Sequence, residues 1–447
     1  MEKPGYAAMN FWIWPAYFLF FLMLMFPGIP GLAFVKAVLL GLVLLTIGIA
    51  TVMDGRFAVH STVASWTLFF ATVGFFFVLR GLFAGTPGAS SLVRVYVVWP
   101  VIYLVLLGGI ASKGILIGLE RVLVAATICI SIYCILYFLT ETDTLPQSIF
   151  GGLFPFREEQ GVGLYEGHTE IMFTGINSMH FLFPFVFAAL ASHSSKEGTK
   201  LVSRSCLWAA LFLGLVIVLL SGRRALLLVT LIAPLLTLTL AFFQPITEKR
   251  VTKKWTARLA LALVLGLSAG LFVVSPIYDI TLAGIADRFS VGFNFDANTT
   301  DSSAAARRGQ YLALLRGWSE DPLLGAGLGA SAYGSIRSEL TPWDYEMSYL
   351  DLLFQTGLFG FMAYVAGVVW IYWKGATIIK EGGALGQVML PALVGMTCFL
   401  IASLTNPYLT KFDGLWAIFL PVALINFWLV RRRTRPSAAY RTVSQLG

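Results

Sequence analysis

Uninterrupted apolar runs of about 16 to 28 residues follow one another along most of this chain, and nothing else in it restricts the fold so strongly. At 1.5 Å per residue, about 20 residues carry a helix across a hydrocarbon core roughly 30 Å thick. A barrel strand crosses with about ten residues that alternate in polarity, and these runs do not alternate. Charged residues make up 12% of the 447, where a water-soluble domain carries about 25%. The sequence therefore predicts an all-α integral membrane protein of about twelve spans. They fall near 11–26, 31–52, 62–84, 92–110, 115–139, 170–192, 203–221, 224–243, 257–275, 347–373, 386–404 and 412–430. The first run ends in Pro27-Gly28-Ile29-Pro30 with no small-residue cleavage site, so it reads as a span and not as a cleaved signal. Cys129, Cys134, Cys206 and Cys398 lie in or beside apolar runs, show no metal or disulfide spacing, and read as packing residues.

The formal net charge of +8 is unevenly placed, and its distribution predicts an orientation. With the N-terminus inside, the cytoplasmic side receives Lys196, Lys200, Arg204, Lys249, Arg250, Lys253, Lys254, Arg258, Lys374 and Lys380, then Arg431, Arg432, Arg433 and Arg435. That is the positive-inside pattern, and the opposite orientation breaks it at nearly every short loop. Six segments follow: a scaffold of five spans over 1–139, a first periplasmic loop over 140–169, spans six to nine over 170–275, a large periplasmic loop with short helices over 276–345, three spans over 346–430, and a basic cytoplasmic tail over 431–447. No repeat of 20 to 50 residues is visible, which weighs against a transporter built from internal repeats.

Polar residues gather at two places on the outer side. Ser221-Gly222-Arg223-Arg224 interrupts two apolar runs, and adjacent arginines at such a mouth are costly unless paired or functional. A guanidinium is a natural phosphate clamp, and the start of the following helix also favours an anion. The bland alternative is a pair of arginines snorkelling to lipid phosphates. The large loop carries Arg288, Arg307, Arg308, Arg316 and Arg337. Within it, 304–318 predicts an amphipathic helix with Tyr311, Leu312, Leu314 and Leu315 on its apolar face. Asp321-Pro322 ends that helix, and Gly325, Gly327 and Gly329 then allow close approach of backbone to a ligand or a neighbouring helix. The loop closes on Trp343-Asp344-Tyr345-Glu346, which puts a carboxylate at a membrane mouth under a cluster of cations. Glu346 is the candidate base; it could equally be a residue favoured by the helix dipole, and Asp344 could take either part. Tyr345 and Tyr349 suit stacking on sugars, although aromatics are ordinary at membrane interfaces. His168, where the first outer loop meets the sixth span, is a further candidate substrate contact.

In order and spacing, SGRRALLL, RRGQYLALLRGW followed by DPLLGAGLG, and EMSYLDLLFQTGLFG resemble the motifs of the O-antigen ligase and polymerase family over roughly 219–360. The N-terminal half is similar only in hydropathy. The resemblance implies a polytopic, metal-independent glycosyltransferase without cofactor, acting on undecaprenyl-diphosphate-linked glycans at the periplasmic face of the inner membrane. It carries one family arginine onto Arg223 or Arg224 and a second onto Arg307 or Arg308. The last motif falls on Glu346, Tyr349, Leu350, Gly357 and Gly360. Ligases of the family place histidine where Glu346 stands, and His60, His168, His180 and His193 all lie elsewhere. In that respect the chain looks more like the polymerases that join lipid-linked repeat units. The ten residues between Arg316 and Gly327 match a spacing that those polymerases share, a minor support.

The chemistry can be derived without the family. Transfer from a polyprenyl diphosphate needs the leaving diphosphate neutralised, which Arg223, Arg224, Arg288 and Arg308 can do in a partly dehydrated groove, with Arg307 and Arg316 as further contacts. The acceptor hydroxyl must lose a proton during attack, which Glu346 can accept, and direct attack inverts the anomeric centre. Expected partners are the lipid-linked oligosaccharide as donor and acceptor and the bilayer itself; a chain-length regulator stays open, and no nucleic acid is expected. The alternative acceptor is lipid A-core, which would make the protein a ligase. A transporter or flippase would instead need ionisable residues at mid-membrane.

Overall fold

In the computed structural model the described residues are 13–54, 58–109, 113–154, 161–165, 168–192, 202–278, 302–335 and 338–434. They form α1 (Trp14–Met25), α2 (Ala33–Asp54), α3 (Ser61–Phe83) and α4 (Ala89–Val93), which runs through a π-helical turn into α5 (Trp99–Gly109). Then come α6 (Lys113–Glu141), the short α7 (Gln147–Phe150), strands β1 (Gly161–Tyr165) and β2 (His168–Met172), and α8 (Ile176–Ser192). The C-terminal half contains α9 (Arg204–Leu220), α10 (Arg224–Ala241), α11 (Ile246–Tyr278), α12 (Ser302–Glu320), α13 (Ser348–Glu381), α14 (Gly383–Ala402) and α15 (Trp416–Thr434). The protein is an all-α membrane protein. Each of the twelve predicted runs overlaps a helix, and among the described residues eight helices are long and apolar enough to cross a membrane. Helices α1, α8 and α9 are shorter.

One element departs from the predicted pattern. β1 and β2 pair antiparallel, Gly161 opposite Met172 and Tyr165 opposite His168. Backbone groups of 170–172 therefore serve the hairpin, and Ile171 N–H also donates to the Ser221 carbonyl at 3.3 Å. Helix α8 starts at Ile176 for that reason, six residues after the expected 170.

Helix α8 is the centre of the core. Every residue from Ser178 to Ser192 is buried, Phe181, Phe183, Phe185 and Phe187 completely. A helix apolar on all sides has to lie inside. It packs against α14, α10, α9, α11 and α6.

Interhelical contacts sort the loops onto two faces. On one, Glu381 accepts from Trp428 Nε1 at 2.7 Å and Arg432 at 2.5 Å, and Glu248 accepts from Gly383 N–H at 3.1 Å. Arg204 stacks on Trp255 nearby. On the opposite face Ser178 Oγ donates to the Leu24 carbonyl at 2.7 Å, Gly88 N–H to Gly329 at 3.0 Å and Thr410 Oγ1 to Asp344 at 3.1 Å.

Helix α13 is interrupted at Gly357, whose φ of 59° and ψ of −170° end one half-helix and start another. A break exposes free N–H and C=O groups, which are expensive where water is scarce. The glycine-rich segment after α12 supplies the partners. Ala326 and Gly327 N–H donate to Phe354 and Gln355 carbonyls at 3.0 and 2.9 Å, while Leu358 and Phe359 N–H donate to Pro322 and Leu323 carbonyls at 2.9 and 3.1 Å. Gly325 has to be glycine here: its φ is +68°, and an added Cβ would lie 2.4 Å from Gly357 N. Of the two uses foreseen for these glycines, ligand or neighbouring helix, the structure shows contact with a helix. Arg80 of α3 completes the splice, donating Nε to the Gly325 carbonyl at 2.7 Å and pairing with Asp321.

Candidate active site

The large loop is brought to the membrane helices by α12, whose inward stripe runs Arg307, Gln310, Leu314 and Gly317. These are spaced three or four residues apart and so share one face. Leu314 is fully buried and Gln310 is 2% exposed. Two of the four residues are polar, so hydrophobic periodicity misplaced the face. Tyr311 and Leu312, expected on the apolar side, are 39% and 53% exposed.

The two polar members of that stripe hold Glu346. Gln310 Oε1 accepts the Glu346 backbone N–H at 2.9 Å, and Arg307 Nε donates to Glu346 Oε2 at 3.0 Å. The ion pair is about one-fifth exposed on each side, sheltered but reachable. Tyr345 anchors the same segment from below. Its ring is buried with Leu314 and Phe354, and its oxygen accepts the Ala332 N–H at 2.6 Å. Burial pushes the Tyr345 hydroxyl above its ordinary range, so it stays neutral.

Four more hydrogen bonds tie down the start of α13. Ser348 Oγ donates to the Asn406 carbonyl at 2.7 Å, and Tyr349 Oη to the Leu400 carbonyl at 2.7 Å. Buried Asp351 accepts from Gln355 Nε2 at 2.5 Å, while Gln355 Oε1 accepts the Gly329 N–H at 2.8 Å. Tyr345 and Tyr349 thus serve packing and anchoring in this arrangement.

Arg223 and Arg224 sit at a corner the sequence builds locally. Ser221 closes α9, Gly222 turns the chain at φ +67°, and Arg223, extended, donates its backbone N–H to Ser221 Oγ at 3.3 Å. Arg224 is the first residue of α10, and both arginines are half-buried. Cations at a helix N-terminus oppose the helix dipole, an arrangement that a bound anion would relieve. The loop between α14 and α15 packs on the segments that flank Glu346 and on the start of α8. Asn406 and Thr410 meet Ser348 and Asp344. Tyr408 Oη donates to Asn177 Oδ1 at 3.2 Å, and its ring lies 5.3 Å from that of His180.

Of the other predicted residues, Arg308 is half-buried beside the ion pair and Arg316 is exposed two turns further along α12. His168 opens β2. Arg288 and Arg337 lie outside the described residues. Sequence reading missed Arg80, the Asp351–Gln355 clamp and the 403–411 loop. Asn406-Pro407 marked a turn in that loop, but nothing local signals its partners. Among the described residues no three His, Cys, Asp or Glu side chains gather as a metal site requires.

Residues 209–365 match the family model described as O-Antigen ligase. That stretch is an O-antigen ligase family domain. It takes in the Arg223-Arg224 corner, α12, the glycine segment, Glu346 and the break at Gly357, while Arg80 and the 403–411 loop pack on it from outside. No curated protein matches the chain. An O-antigen ligase family domain implies a glycan-transferring enzyme with lipid-linked substrates in a multi-pass membrane protein.

Proposed function

We propose that this protein is an inverting polymerase of undecaprenyl-diphosphate-linked oligosaccharide repeat units, working at the periplasmic face of the bacterial inner membrane with both termini in the cytoplasm. The observation that carries this reading is the sheltered Arg307–Glu346 pair, with a glutamate where ligases of the family carry histidine. The donor diphosphate is bound by Arg223, Arg224, Arg307 and Arg308, with Arg316 and Arg288 as further candidate substrate contacts. It competes with Glu346 for Arg307 and frees the carboxylate. The acceptor hydroxyl then gives its proton to Glu346 while its oxygen bonds to the anomeric carbon. The bond from that carbon to the phosphate oxygen breaks, its electron pair goes to the diphosphate, and the arginines stabilise the charge. His168 is a further candidate substrate contact.

The family description itself favours a second reading, transfer to lipid A-core by a ligase. Purified protein in liposomes with a lipid-linked repeat unit as the sole substrate separates the two. A ladder of longer lipid-linked chains is expected, reduced about 10²- to 10⁴-fold in Glu346→Ala and strongly in Arg223→Ala. Product only after lipid A-core is added makes the protein a ligase. No transfer to either acceptor returns the transporter reading.

A further inference from the structure

Tyr333 is 96% exposed, more than any other large apolar or aromatic side chain among the described residues, yet the turn that carries it is bonded at one end and packed against α12 at the other. On one side Ala332 is 3% exposed, packs with Ala330, Leu314 and Tyr345, and donates its N–H to Tyr345 Oη at 2.6 Å. On the other side Ser335 lies against α12, where a Cβ added to Gly309 would meet Ser335 Oγ at 3.4 Å. Gly334, at φ +87°, makes the turn between them. Both anchors belong to the segments that present the ion pair. Tyr345 immediately precedes Glu346, and Gly309 stands between Arg308 and Gln310, the acceptor of the Glu346 N–H. Tyr333 is therefore fixed relative to Glu346 while its ring is left open.

We propose that Tyr333 forms a glycan subsite, its ring stacking on the C–H face of a sugar of the lipid-linked saccharide next to the Arg307–Glu346 pair. This deepens the glycan-transfer reading and rests on it. A pyranose ring offers an apolar C–H face and keeps its hydroxyls at the rim, which suits a flat ring with a polar tip. Tyrosine brings large contact area with two side-chain torsions to order, and a turn already anchored loses little further freedom on binding. Tyr345 and Tyr349 lack this opportunity: the first ring is buried and the second hydroxyl is tied to Leu400.

The test is saturation-transfer NMR of the full-length protein in nanodiscs with lipid-free repeat-unit oligosaccharide released by mild acid from the producing cell's own polysaccharide. Wild type should bind it, Tyr333→Ala should bind about 2- to 10-fold more weakly, and Tyr333→Trp should hold the wild-type affinity. Glu346→Gln should fail to transfer. Absence of wild-type binding, or equal binding by Tyr333→Ala, overturns the subsite. A deficit seen in nanodiscs and absent in detergent overturns it too, because the ring would then be holding the loop to lipid. If no transfer occurs but Tyr333→Ala still weakens binding, the polymerase reading fails and the subsite stands.

Discussion

Gly357→Ala adds one methyl group where α13 breaks, and it should cost far more than a methyl group normally does. Two terms add. The backbone at φ 59°, ψ −170° lies in a region that essentially only glycine occupies, worth roughly 1–3 kcal/mol for any other residue. The new Cβ would sit 2.3 Å from the Leu323 carbonyl oxygen, 2.4 Å from its carbon and 2.5 Å from Leu324 N. These are backbone atoms that cannot swing away, and forcing the segment aside costs a further 1–3 kcal/mol or so. The same displacement strains the four hydrogen bonds that splice the break. A total of about 2–6 kcal/mol follows. Gly85→Ala is the control, because Gly85 has φ +68° but nothing within 4 Å of an added Cβ; about 1–2 kcal/mol is expected there. SDS-titrated unfolding in mixed micelles, followed by circular dichroism, measures both. If the two variants fall within about 0.5 kcal/mol of each other, the close approach of loop and half-helix is refuted.

Tyr345→Phe leaves the Ala332 N–H buried without its acceptor and should destabilise by about 1–3 kcal/mol in the same assay; a change below about 0.5 kcal/mol would mean the bond contributes nothing. The tyrosine holds its proton above its ordinary value of 10.0, so the stability it contributes is complete below pH 10 and fades as pH rises through the higher folded value. Wild type should therefore lose stability above pH 10 more steeply than Tyr345→Phe. For orientation, a membrane-impermeant maleimide applied to intact spheroplasts should label Ser335→Cys and spare Thr434→Cys until the membrane is permeabilised, both in a Cys206→Ala background. The reverse pattern would invert the proposed topology.

Hydropathy located the apolar helices because membrane insertion depends on mean polarity over about 20 residues, a property of each segment alone. The start of α12 near residue 304 and its stop before Asp321-Pro322 were equally legible, since helix propensity and proline act locally. What escaped depends on partners distant in sequence. Arg80 reads as one more interfacial arginine until Asp321 and Gly325 arrive 241 and 245 residues later. Tyr345 and Tyr349 look like sugar-stacking aromatics, and only tertiary packing tells a buried ring from an open one. Arg307 and Arg308 are adjacent and were indistinguishable; helix phase turns the first toward Glu346 in line with Gln310 and Leu314. Glu346 stood out because a charge at the start of an apolar run is rare enough to notice.

The ion pair also constrains how the proposed base could work. While Arg307 Nε donates to Glu346 Oε2 at 3.0 Å, the carboxylate is engaged and the guanidinium is partly neutralised. Both need release before transfer, and a diphosphate is the ligand that can achieve this, carrying more charge and more acceptor oxygens than one carboxylate. Substrate binding and activation of the base would then be a single event, which keeps Glu346 from acting before a donor is present. The consequence is opposite movement of affinity and rate. Glu346→Gln removes the competing charge, so undecaprenyl diphosphate should bind about tenfold more tightly while transfer is lost, since a charged hydrogen bond is worth about 1.5–3 kcal/mol and this one is partly exposed. Unchanged affinity would mean that Glu346 does not compete for Arg307. Weaker affinity would mean that Glu346 holds Arg307 in place for the phosphate, and masking would be the wrong description of the pair.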